Sequence, residues 1–139
     1  MIRAVLDPGV LIAGALSRSG APAKLLRWLE IGEFDLIVCP HLLEELRRVF
    51  TYRKIRKRIA GAEAAGFLEI LELTAVHVSD PTDVPAACRD PNDDYLFALA
   101  GEHADVLVSG DRDVLGAIDP LVRVLSPAGF AEILGRRSD

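Results

Sequence analysis

The chain has 139 residues, half of them apolar, with 16 basic and 21 acidic side chains for a net charge of −5. That length and apolar content suit one domain able to bury its own core, without disulfides or a partner. A disulfide framework and a zinc site are excluded: Cys39 and Cys88 lack paired spacing and histidine neighbours, and both read as buried thiols. No run approaches the roughly 18 apolar residues that span a bilayer, and Met1 to Val5 enters a strand-like pattern without a signal peptide's regions, so a cytoplasmic protein with no membrane association is expected.

In chain order, a strand is expected at Arg3–Leu6, then a helix over Ala21–Ile31, which gathers Leu25, Leu26, Trp28 and Leu29 and stops at Gly32. A second strand at Asp35–Cys39 leads to a helix opened by Pro40, since proline suits a first turn where its missing donor costs nothing. That helix runs to Phe50, with room to continue through the basic residues beyond it. Helices over Ala62–Leu73 and Asp94–Glu102 follow, then strands at Asp105–Ser109 and Val122–Leu125. A last helix over Pro127–Leu134 has Ser126 as its cap. Short apolar runs alternating with helical patterns indicate a parallel sheet with crossover helices. Nothing repeats and no linker divides the chain, so residues 1–135 are read as one domain and 136–139 as a frayed tail.

The acidic residues carry the functional reading. Asp7 follows the apolar run Ala4-Val5-Leu6 and would sit beyond a strand's carboxyl end, where parallel sheets gather ligands; before Pro8-Gly9 it also reads as a turn former. Glu45 falls beside the stripe of Leu42, Leu46, Val49 and Phe50, whereas Glu44 points nearly the other way. A carboxylate there is costly to desolvate unless a cation or donor meets it, or unless it snorkels to water. In Asp90-Pro91-Asn92-Asp93-Asp94, ahead of an almost wholly apolar helix, Asp90 suits a turn and Asp93 an N-cap, which leaves Asp94 to face a metal. Ser109-Gly110-Asp111-Arg112-Asp113 ends another strand; capping explains one of its two aspartates more easily than both, and Ser109 can steady a carboxylate through its hydroxyl.

Four acidic clusters are thus expected at one edge of the sheet. Oxygen-only donors suit Mg²⁺ or Mn²⁺, and such sites are adept at directing attack on a phosphodiester. None of the three histidines is needed: His41, His77 and His103 read as structural or exposed.

Ala4-Val5-Leu6-Asp7, Leu42-Leu43-Glu44-Glu45-Leu46, Cys88-Arg89-Asp90-Pro91-Asn92-Asp93-Asp94 and Val108-Ser109-Gly110-Asp111-Arg112-Asp113, in that order, resemble the motifs of the PIN domain. The resemblance runs from Ile2 to about Leu134 and is nearest to the toxin branch of type II toxin–antitoxin pairs, with VapC-like ribonucleases as relatives. It implies an α/β fold, a three-layer α/β/α sandwich around a parallel sheet of four or five strands, and Mg²⁺- or Mn²⁺-dependent cleavage of single-stranded RNA. Carried over by motif, Asp7, Glu45, Asp94 and Asp111 are the metal-holding, catalytic acids, with Asp113 as a fifth ligand candidate. It also implies a homodimer restrained by a small antitoxin protein. One departure stands out: where the family usually follows its first aspartate with Thr or Ser and then Asn, this chain has Pro8 and Gly9.

Between Arg47 and Arg58 the chain carries seven cations and no acid. Arg47, Arg48, Arg53, Lys54 and Lys57 are candidates for phosphate contacts, and Tyr52 for stacking on an unpaired base; a solvated face or an antitoxin surface fits the stretch equally. Two other functions compete. A PIN module weakened by the Pro8-Gly9 departure would bind RNA or protein without cutting. A receiver-like signalling domain also places acids at strand ends, but it wants a late lysine, and Lys57 is the last one here.

Overall fold

Five parallel strands, β1 (Arg3–Leu6), β2 (Asp35–Val38), β3 (Val76–His77), β4 (Val106–Val108) and β5 (Arg123–Leu125), form one sheet in the order β3-β2-β1-β4-β5. The computed structural model describes residues 1–87, 90–117, 119 and 121–138. Ala4, Val5 and Leu6 of β1 and Leu107 and Val108 of β4 have no exposure, as unbroken apolar runs in the middle of a parallel sheet require. The chain first moves outward from β1 to β2 and β3, then returns across β1 to β4 and β5. Right-handed crossovers place helices of the outward and returning paths on opposite faces, which makes an α/β/α sandwich.

Eight helices join the strands among the described residues. The first, α1 (Pro8–Leu16), begins where the sequence suggests only a turn: Asp7 caps it by accepting the Gly9 N–H, and Pro8 supplies a ready-made first residue. Then come α2 (Ala21–Glu30), α3 (Pro40–Phe50), α4 (Arg53–Arg56) and α5 (Gly61–Thr74). The helix carrying Glu45 does not continue through the basic residues. The Thr51 hydroxyl donates to the Arg48 carbonyl (2.6 Å), Tyr52 turns extended, and the Tyr52 carbonyl restarts the chain as α4.

A 3-10 turn at Pro91–Asp93 leads into α6 (Asp94–His103), buried from Asp94 through Ala100. The short α7 (Arg112–Leu115) precedes β5, and α8 (Pro127–Ser138) packs against α2 and β5. The Ser126 hydroxyl accepts the Gly129 N–H, as expected of a cap. The segment read as a frayed tail is helical through Ser138, with Arg136 reaching back four residues to Glu132. Cys39 is buried, which pushes its thiol up to about 11; Cys88 lies outside the described residues. Among the described residues no helix is long and apolar enough to cross a membrane.

Candidate active site

β1 and β4 are neighbours with Leu6 opposite Val108, so the next residues, Asp7 and Ser109, leave the sheet side by side. The Asp7 N–H still donates to the Val108 carbonyl (2.9 Å), extending the pairing by one step. Strand order reverses beside β1, and the crevice at such a switch point is where open parallel sheets take their ligands. A cavity of about 290 Å³ opens there, lined by Asp7, Gly9, Val10, Gly110, Asp111 and Pro127 among others.

A short relay of hydrogen bonds fixes this edge. Asp7 Oδ1 accepts the Gly9 N–H (2.8 Å) and Oδ2 accepts the Ser109 hydroxyl (2.8 Å). The Ser109 oxygen, fully buried, accepts the Asp111 N–H (3.1 Å), and Asp111 Oδ1 accepts the Asp113 N–H (2.8 Å) to cap α7. The departure at Pro8-Gly9 therefore does not leave Asp7 unsupported: a backbone N–H and a hydroxyl from the neighbouring strand hold it. Burial pushes the Asp7 carboxyl above its ordinary range. The bonds from Gly9 and Ser109 draw it back, and the charges of Glu45 and Asp111 raise it again.

Glu45 reaches the site from the second turn of α3. Its Oε2 accepts the Tyr95 hydroxyl (2.5 Å), and the Tyr95 ring packs edge-on against His41, with centroids 4.1 Å apart. Burial and the Glu45 charge push the Tyr95 hydroxyl far up, so it remains a proton donor at any working pH.

Of the two neighbouring aspartates of the third motif, Asp93 does not cap the helix as expected. Asp90 caps the 3-10 turn through the Asn92 N–H, so Asp93 lies in helical conformation and makes no capping bond. Desolvation, followed by the charges of Asp7, Asp90, Asp111 and Glu45, pushes Asp93 up to about 6. Asp94 instead turns inward, only 7% exposed, and accepts the Ala87 N–H (3.0 Å). The charges of Glu45 and Asp111 thus bear on Asp7, and those of Asp7, Asp90, Asp111 and Glu45 on Asp93, while one oxygen of Asp94 ties the preceding segment to α6. Asp113 is exposed on α7. In the basic stretch Arg47 is paired with Glu72, whereas Arg48, Tyr52, Arg53, Lys54 and Lys57 are exposed.

The donor set can be tested against a divalent cation. Every side chain contributing charge is a carboxylate, and among the described residues no Lys or Arg pairs with Asp7, Glu45, Asp93 or Asp111. Burial is the main cause of the raised Asp7 and Asp93 carboxyls, and the neighbouring carboxylates add to it. Among the described residues no three acids, histidines or cysteines form a ready-made metal cage. Mg²⁺ needs none, because it commonly keeps several waters and takes only one or two carboxylates directly. The residues fit a hydrated hard dication. Tyr95→Phe, which removes the donor holding Glu45, is expected to weaken Mn²⁺ affinity about tenfold, as loss of an orienting partner does, with the fold retained. Calorimetric titration checks this, and an unchanged affinity would show that Glu45 needs no positioning by Tyr95.

The fold and this edge define the class, an α/β sandwich with an acidic crevice at its topological switch point. A model of the PIN domain matches residues 3–113, and the chain belongs to that family, whose members are generally nucleases that hydrolyse nucleic acids. The chain is 26% identical over 120 residues to the uncharacterized protein MJ1680 of Methanocaldococcus jannaschii, covering 85% of this chain and 76% of that one. Its fold is similar to the crystal structure of PAE2754 from Pyrobaculum aerophilum, with a TM-score of 0.66 at 16% identity over 97% of this chain and 90% of the other.

Proposed function

We propose that the protein is a Mg²⁺- or Mn²⁺-dependent endoribonuclease that cuts single-stranded RNA, and that it is the toxin of a cytoplasmic toxin–antitoxin pair. The observation that carries the nuclease reading is the relay at the strand-order reversal, where Ser109 joins the Asp7 carboxylate at the end of β1 to the Asp111 backbone beyond β4, with no Lys or Arg paired to Asp7, Glu45, Asp93 or Asp111 among the described residues. Asp93 takes the place in this set that the motif alone assigns to Asp94.

When bound, a divalent cation supplies Lewis acidity toward a phosphodiester and offsets charge on the phosphate. Asp7 and Asp111, joined through Ser109, present oxygens from the ends of β1 and β4. Tyr95 holds one oxygen of Glu45. Asp93, whose carboxyl is raised by burial and by the neighbouring carboxylates, is the group we assign to accept a proton from water.

The alternative, a module that binds without cutting, draws its support from Pro8-Gly9; the Gly9 N–H that Asp7 accepts favours the nuclease reading over it. Exposed Arg48, Arg53, Lys54 and Lys57, with Tyr52, supply phosphate and base contacts for RNA beyond Glu45. Exposed Ile70, on the apolar cleft between α2 and α5, together with exposed Ile31 at the end of α2 and exposed Leu73 on α5, supplies surface for the homodimer, and the acidic crevice is the target of the small antitoxin.

Labelled single-stranded RNA incubated with the purified protein is expected to be cut with Mn²⁺, spared with excess chelator, and cut again when Mn²⁺ is restored. Cutting that ignores the chelator, or none with any divalent ion, contradicts the proposal.

A further inference from the structure

A second cavity, of about 660 Å³, lies between α2 and α8 and belongs to none of the acidic machinery. Arg18, Lys24 and Arg27 line it, all exposed, and among the described residues no carboxylate pairs with any of them. Arg27 Nη1 donates to the Arg18 carbonyl (3.2 Å), which ties the two together. Glu132 also lines the groove, but Arg136 pairs with it. On a chain of net charge −5, three cations around one groove without a carboxylate partner among the described residues exceed ordinary surface mixing.

Trp28, the single tryptophan of the chain, forms an aromatic wall, with the Lys24 ammonium 5.9 Å from its ring centre. Cations for phosphates beside a flat ring for a base are what single-stranded nucleic acid requires. The groove is also placed for a strand that passes the acidic crevice. Pro127 lines one cavity and the adjacent Ala128 the other, so the first turn of α8 separates them. Along the other side, α1 spans roughly 13 Å at 1.5 Å per residue, from the cap at Asp7 to the start of the Ser17-Arg18 turn.

Resting on the nuclease reading above, we infer that this α2–α8 groove is a binding subsite for single-stranded RNA, holding the nucleotides that flank the scissile phosphate. Arg18, Lys24 and Arg27 meet the phosphates, and Trp28 stacks on a base.

Because Trp28 is the sole tryptophan, its fluorescence reports on this groove alone. The probe is 2′-O-methyl octauridine, which lacks the free 2′-hydroxyl, titrated in chelator. Anisotropy of a fluorescein-labelled copy reports binding anywhere on the protein. Saturable quenching is expected, weakened at least tenfold in Arg18→Ala/Lys24→Ala/Arg27→Ala. That variant should lower the salt slope of log affinity by about 2, at roughly 0.7 per phosphate, while Mn²⁺ affinity stays unchanged. Anisotropy that saturates without a change at Trp28 would overturn the subsite and leave the nuclease reading intact, as would equal quenching by polyglutamate, which would mark the groove as a seat for an acidic protein. Failure of both signals would overturn the subsite as well. Quenching by the oligonucleotide in a wild-type protein with no Mn²⁺-dependent cleavage would support the subsite and sink the nuclease reading. The wild-type signals decide the matter even if the triple variant fails to fold.

Discussion

Asp93→Asn is expected to lower metal-dependent RNA cleavage at least a hundredfold and to raise the melting temperature of the metal-free protein, whereas Asp94→Ala is expected to lower the melting temperature and spare cleavage per folded molecule. The first effect follows from removing a carboxylate that belongs to the shared field and can take a proton. The second follows from taking away a buried acceptor and stranding the Ala87 N–H, a loss of about 1–3 kcal/mol. The sign at Asp93 can be worked through. Its carboxyl is raised from 3.8 to about 6, so between those values the folded state holds a proton that the unfolded chain has released. Its contribution to the stability of the metal-free protein therefore falls as pH rises through this window. The full shift corresponds to about 3 kcal/mol at most, and solvent screening of this partly exposed group reduces that to about 1 kcal/mol. Cation binding runs the other way, so Mn²⁺ affinity should drop as pH falls below about 6. Cleavage assays beside thermal melts on both variants check the pair. An inactive, fully stable Asp94→Ala beside an active Asp93→Asn would restore the assignment that the motif alone suggests.

Asp7→Asn is expected to have the largest effect on cleavage, a loss of about a thousandfold, consistent with the 10²–10⁴ range for removing a positioned acid–base group. The fold should survive. The amide keeps an acceptor for the Gly9 N–H, and the Ser109 hydroxyl can rotate to accept from the new NH₂ group. Because Asp7 is a carboxylate raised by burial, neutralising it should leave the metal-free protein at least as stable at neutral pH. Single-turnover cleavage at saturating Mn²⁺, together with a melt, separates the two effects. Retained cleavage would remove Asp7 from the acidic set, and a large loss of stability would recast it as a structural cap for α1.

Four of the five strands were legible as short apolar runs between turn residues, and Asp7, Ser109 and Asp111 follow directly from where β1 and β4 end; the edge strand β3, two residues with the polar His77, was not, because it carries no run to read. Helix α1 was not legible. Its residues are apolar nearly all round, so no periodicity marks it, and Pro8-Gly9 read as a turn hides a proline at the first helical position. The missing cap at Asp93 turns on a 3-10 turn of three residues capped by Asp90, since one residue's shift in the helix start rotates a side chain by 100°. The Tyr95 bond to Glu45 joins residues fifty apart, and the α2–α8 groove exists only once α8 has packed on α2; neither leaves a local pattern to read.

Crystals soaked in Mn²⁺ and measured by anomalous diffraction test the shared acidic centre directly. The expected map has a peak in the crevice at the carboxyl ends of β1 and β4, within coordinating reach, directly or through one water, of Asp7, Glu45, Asp93 and Asp111. A saturating soak that leaves the crevice without a peak, or places its ion on surface acids away from Asp7, would contradict the account.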